Sequence, residues 1–91
     1  MAQVNRDIEV VNRLGLHARA AAKLVNLAGR FTSRIELVNG AKKADAKSIM
    51  SVLTLGATLG TSLSLTTEGD DAEEAAGALE ALFADRFGEG E

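Results

Sequence analysis

Apolar and polar positions fall along the chain in seven segments. Asp7-Ile8-Glu9-Val10 changes character at every step, the period of a strand with one buried face, and predicts a first strand near residues 6–11. Leu14-Gly15-Leu16 breaks that rhythm. From 18 to 29, Ala18, Ala21, Ala22, Val25 and Ala28 recur at three- and four-residue intervals, which predicts a helix stopped by Gly29. Ser33-Arg34-Ile35-Glu36-Leu37 returns to period two. Asn39-Gly40 is a hairpin turn signal, because both residues accept positive φ. A short lysine-bearing strand over 42–46 comes back from it, suited to a sheet edge. Ser48 caps a short helix in which Val52 and Leu53 are the core residues. Gly56 and Gly60 bracket a loop, and residues 61–66 form a fourth strand. Asp71 with Glu74 makes an acidic capping box, Asp70 with Glu73 a second register of it. Ala72, Ala75, Ala76, Leu79, Leu82, Phe83 and Phe87 then line one helix face.

The order is βαββαβα. One apolar face per strand predicts a four-stranded antiparallel sheet with the helices on one side, a two-layer α/β sandwich of the α+β kind. The whole is one domain over residues 1–88, with residues 89–91 as a frayed tail.

Composition narrows the chemistry. Apolar residues make up 46 % of the chain, enough for a folded globule, but aromatics are only 3 %, so aliphatic side chains must build the core. The absence of cysteine excludes a disulfide framework, a thiolate metal site and a Cys nucleophile. A single histidine excludes a multi-histidine metal centre, and no cofactor or metal is expected. The N-terminal stretch lacks the apolar core of a signal peptide, and no segment is long and apolar enough to span a membrane. A cytoplasmic protein without membrane insertion is the expectation. Net charge is −3, which argues against nucleic acid as a partner. Between Arg13 and Lys47, however, eight cations face only Glu36 and Asp45. That basic middle suits an anionic ligand or an acidic partner surface.

The start of the first helix departs from the usual rules. A polar oxygen-bearing cap and acidic first-turn residues are the norm. Here His17 stands at the cap and Arg19 in the first turn. A bound anion reconciles both: the backbone N–H groups of Ala18, Arg19 and Ala20 would face it, and Arg19 would add charge-assisted hydrogen bonds. Gly15 lets the preceding loop turn sharply. A neutral imidazole nitrogen is a competent nucleophile towards phosphorus.

Gly15-Leu16-His17-Ala18-Arg19 ahead of an alanine-rich helix resembles the active-site segment of the HPr family, the histidine phosphocarriers of the phosphoenolpyruvate-dependent phosphotransferase system. Ala46-Lys47-Ser48-Ile49-Met50 with Leu55-Gly56, and Glu68-Gly69-Asp70-Asp71, match its second and third segments in the expected order. The resemblance implies an open-faced β-sandwich. It also implies that His17 accepts a phosphoryl group on Nδ1 from phosphorylated enzyme I and donates it to a histidine of an enzyme IIA protein or domain, with Arg19 neutralising the phosphate. Such a carrier is a covalent intermediate rather than an enzyme. Ala20 departs from the pattern, standing where the family usually has Pro.

In many relatives the serine matching Ser48 is phosphorylated by a dedicated serine kinase, which the resemblance extends to this chain as a regulatory partner. Ile49 and Met50, on a helix too short to bury them, suggest a docking patch together with Leu16, framed by Arg13, Lys23 and Lys47. A monomer suits a shuttle with one exposed site. Two other readings stand beside this one. Asn12-Arg13-Leu14-Gly15 also resembles carriers of the nitrogen-related branch, whereas Lys47-Ser48-Ile49-Met50 leans towards the sugar type. A different class, a metabolite-sensing module with a similar sandwich, would need no phosphohistidine. An independent enzyme is disfavoured, because one histidine without an acid–base partner is too little machinery.

Overall fold

The computed structural model describes residues 2–90. Its elements are β1 (Gln3–Glu9), α1 (Ala18–Ala28), β2 (Arg34–Asn39), β3 (Lys42–Asp45), α2 (Ile49–Leu53), β4 (Ser62–Glu68) and α3 (Ala72–Ala84), followed by a 3₁₀ turn at Arg86–Gly88. The four strands form one antiparallel sheet in the order β1-β4-β2-β3. Ile8 pairs with Leu63, Arg6 with Leu65, and Leu37 with both Leu65 and Ala44, so the inward residues of all four strands lie side by side. The helices cover that face alone, as the single apolar face per strand predicted. The lysine-bearing β3 is an edge strand.

The first strand begins earlier than expected, at Gln3, and ends at Glu9. Its inward phase runs through Val4, Arg6 and Ile8, and the charge on Arg6 hides the alternation. That guanidinium is carried on the helix side of the sheet, paired with Glu73 at 3.1 Å and Glu80 at 3.3 Å on α3. Val10 lies just past the strand, fully buried, and exchanges backbone bonds with Gly60 and Thr61. The buried face of α1 is Ala20, Ala21, Leu24 and Ala28, rotated slightly from the expected one; Ala18 is exposed. Three alanines on that face let α1 sit close to the sheet. In α2, Val52 is buried but Leu53 is exposed, because a helix of five residues can turn only one side chain fully into the core. Ser48 caps α2 as expected, its Oγ accepting the Ser51 N–H at 3.3 Å.

Asp71 has a role other than the capping box. It precedes α3, but its carboxylate makes no bond to that helix. It reaches instead across to the start of β2, accepting the N–H groups of Thr32 and Ser33, both at 2.9 Å, and the Ser33 hydroxyl at 2.5 Å. Gly69 beside it has φ +147°, and a Cβ there would come within 2.8 Å of Ser33 Cα, so this contact between two loops requires glycine. The Ser33 hydroxyl bond first, then the Thr32 N–H, hold the Asp71 carboxyl down at about 2. The last helix buries Ala72, Ala75, Ala76, Leu79 and Phe83. Phe87 is buried too, but from beyond the end of α3.

A carboxyl lowered on folding stabilises the protein above its unfolded value of 3.8 and loses that contribution as pH falls towards about 2. Chemical denaturation from neutral pH downwards is therefore expected to show Asp71→Asn less stable than wild type at pH 7, with the gap closing towards pH 2. A gap independent of pH would show that the charge on Asp71 plays no part.

Candidate functional site

His17 is placed by what precedes it. Asn12 is fully buried and its Nδ2 donates to the Gly15 carbonyl at 2.8 Å, closing a tight loop. Gly15 has φ +67°, and a Cβ on it would stand 2.5 Å from the Ala57 carbonyl oxygen, so only glycine fits. Leu16 then donates its N–H to that same carbonyl at 3.0 Å. This bond turns the Leu16 side chain into the core, where it is 6 % exposed. Leu16 therefore supports the loop from beneath and does not present the docking surface expected of it.

His17 follows in extended conformation at the N-cap of α1, and its side chain caps nothing. The first helical bond back is from the Ala21 N–H to the His17 carbonyl at 2.8 Å. The N–H groups of Ala18, Arg19 and Ala20 precede that bond and have no partner among the described residues at the positive end of the helix. The first turn contains no acidic residue. Among the described residues Arg19 forms no ion pair. A depression beside the helix start is lined by Arg13, Leu14, His17, Ala18, Arg19, Lys23, Gly88 and Glu89. Arg13, Arg19 and Lys23 give it a cationic wall.

The structure adds a residue that local pattern could not supply. Residue 89 was expected in a frayed tail, yet the Glu89 side chain is only 13 % exposed and packs into the site. One carboxylate oxygen accepts from Asn12 Nδ2 at 3.0 Å, the other from His17 Nε2 at 2.5 Å. Burial alone would raise the Glu89 carboxyl, but the bonds from Asn12 and His17 and the charges of His17 and Lys23 outweigh it and hold it below the usual carboxylate range. The strap that carries it bends through two left-handed residues, Arg86 and Phe87, both at φ 55°. Such a conformation costs roughly 1–2 kcal/mol per non-glycine residue. The Phe87 ring, buried edge-on against Phe83 with centroids 4.9 Å apart, and the Lys23 ammonium, donating to the Phe87 carbonyl at 2.6 Å, hold it in place. The tail expectation thus fails at Glu89, because burial of Phe87 carries the chain back over the helix start. Glu91 lies outside the described residues.

A family model described as "PTS HPr component phosphorylation site" matches residues 4–85. The chain belongs to the HPr family. Within it, the chain is 51 % identical over 88 residues to the phosphocarrier protein HPr of Cupriavidus necator, covering 97 % of this chain and 99 % of that protein. The phosphocarrier protein NPr of Shewanella violacea is 42 % identical, with 98 % of each chain covered. Among solved structures, HPr-C-His from Thermoanaerobacter tengcongensis superimposes with a TM-score of 0.88 at 46 % identity, covering 98 % of both chains. The open-faced β-sandwich of HPr is therefore the fold of this chain, and its family function is that of a phosphocarrier in the phosphotransferase system, not of an enzyme.

The second group of residues lies on and around α2. Met50 is 69 % exposed, and Ile49, Leu53, Leu14 and Leu59 are also exposed. Ser48, the N-cap of α2, is half-buried. Of the expected rim cations, Lys23 is bonded as above and the Lys47 ammonium donates to the Phe31 carbonyl at 2.7 Å; Arg13 is not without a partner either. Both lysines keep their charge at the surface while supporting the backbone. Among the described residues no helix is long and apolar enough to cross a membrane.

Ala20 is fully buried at the third position of α1, and its N–H precedes the first helical hydrogen bond. Proline there removes no such bond. Ala20→Pro is expected to change unfolding free energy by no more than about 1 kcal/mol in urea titration. A loss of about 3 kcal/mol would show that this buried position cannot take the proline ring.

Proposed function

We propose that His17 is the phosphorylated residue of this family member: its imidazole takes a phosphoryl group from phosphorylated enzyme I and passes it to a histidine of an enzyme IIA protein or domain. The observation that carries this reading is the open start of α1, where the only histidine stands in place of a cap and no acidic residue follows. Arg19 and the N–H groups of Ala18, Arg19 and Ala20 compensate the charge of the adduct. Compensation by an exposed arginine and a helix end is moderate, which suits a group that must be released again.

Met50, Ile49 and the cations Arg13, Lys23 and Lys47 form the surface that enzyme I and enzyme IIA meet in turn, apolar in the middle and basic around it. The protein works as a cytoplasmic monomer, one site being offered to successive partners. Ser48 is the regulatory site, phosphorylated by a serine kinase. A phosphate there adds about two negative charges at a helix start, which α2 tolerates, while opposing an acidic partner. The Lys47-Ser48-Ile49-Met50 segment and the identity to HPr of Cupriavidus necator favour the sugar-type branch; similarity to NPr keeps the nitrogen-related branch as the second reading.

Incubation with phosphoenolpyruvate and enzyme I should add a single acid-labile phosphate, read by intact mass, and His17→Ala should abolish it. No addition with a competent enzyme I would overturn the assignment. Ser48→Asp retains a capping side chain, so its thermal midpoint should stay near wild type while the rate of charging by enzyme I falls about tenfold through charge repulsion. Charging at the wild-type rate would remove Ser48 as a control point.

A further inference from the structure

The bond between Glu89 and His17 fixes more than a position. An ionised carboxylate only accepts, so the hydrogen between Glu89 Oε2 and His17 Nε2 resides on the imidazole. Asn12 is equally constrained. Both atoms facing its Nδ2, the Gly15 carbonyl and Glu89 Oε1, are acceptors, so the amide cannot be turned round without setting oxygen against oxygen. Its Oδ1 is buried with no partner among the described residues, which shows that the amide is held by what its nitrogen donates to. An imidazole whose neutral form carries its hydrogen on Nε2 has its lone pair on Nδ1.

The geometry points to Glu89 as a positioning residue that keeps the proton on His17 Nε2 and leaves Nδ1 as the phosphoryl acceptor, with Asn12 holding the carboxylate in place. The inference rests on the carrier reading of His17. In the transfer, the Nδ1 lone pair forms the bond to phosphorus as the bond from phosphorus to the donor breaks, its electron pair leaving with the donor. The Nε2 proton stays where it is. The ring thereby gains positive charge, and Glu89 offsets that charge at the nitrogen remote from phosphorus. On delivery the Nδ1–P bond breaks and its electron pair returns to the ring, restoring a neutral imidazole. A ring that keeps its Nε2 proton is the better leaving group in that step. Arg19 lines the same depression and forms no ion pair among the described residues, so the carboxylate serves the ring while Arg19 is left for the phosphoryl oxygens.

The test pairs ¹⁵N NMR of histidine-labelled protein with rapid-quench charging by phosphorylated enzyme I. Wild type should show one slowly exchanging, strongly downfield imidazole N–H, on Nε2. Glu89→Ala should lose that signal and be charged about tenfold more slowly, the low end of what removing the hydrogen-bond partner of a metal-bound histidine costs. Glu89→Gln, which keeps an acceptor oxygen without its charge, should fall between. Unchanged Phe87 ring shifts would show that the strap stays docked in the variants. Charging of Glu89→Ala at the wild-type rate overturns the inference, and so does a slower rate with the Nε2–H signal intact. Wild type that keeps the Nε2–H signal but accepts no phosphoryl group overturns the carrier reading, and this inference with it. Normal charging that is insensitive to Glu89 overturns the inference alone.

Discussion

The loop before His17 is pinned where its backbone touches that of residues 57 and 58, closely enough that no side chain fits between them. Gly15 makes this approach possible, and the Ala57 carbonyl then takes the Leu16 N–H. Everything downstream inherits its position from that contact. Leu16 goes into the core, His17 comes out at the helix start in extended conformation, and α1 begins at Ala18 with its alanine face already against the sheet. Asn12 closes the loop from the other side.

Two helix starts in this small domain show opposite solutions to the same problem. At α2 the unpaired N–H groups are served by Ser48, the side chain that precedes them. At α1 they are left unserved, and cations stand nearby where acids would ordinarily help. The first arrangement stabilises the folded chain by itself. The second leaves a positive helix end without a protein partner, and it is on this open end that the carrier reading rests.

The fold was legible because each strand buries one face and each helix one stripe, and period alone separates the two. Where a charge sat on a buried phase the boundary was misread, as at Arg6, whose pairing with Glu73 and Glu80 lies on another element. Asp71 carried the signature of a cap, yet its carboxylate found three donors at residues 32 and 33, nearly forty positions away. The family segment around His17 was legible because its pattern is local: histidine, arginine and glycine at fixed spacing before a helix. Glu89 was not, since its role depends on where α3 ends and on how Phe87 folds back. An aromatic beyond the helix end, followed by Gly88, is the one trace of that return.

The joining of residue 89 to residue 17 links positions 72 apart in the chain, and this sets the order in which the site comes apart. Closing so long a loop is favourable only once the sheet exists, so the carboxylate joins the imidazole late in folding. In the native state the strap is held by one ring, one ammonium and one carboxylate, far less than what secures the sheet. Its detachment is a sub-global opening, with a free energy below that of unfolding. The environment of the imidazole therefore registers the docking of a segment far from it in sequence, and proton exchange at His17 would read that opening directly.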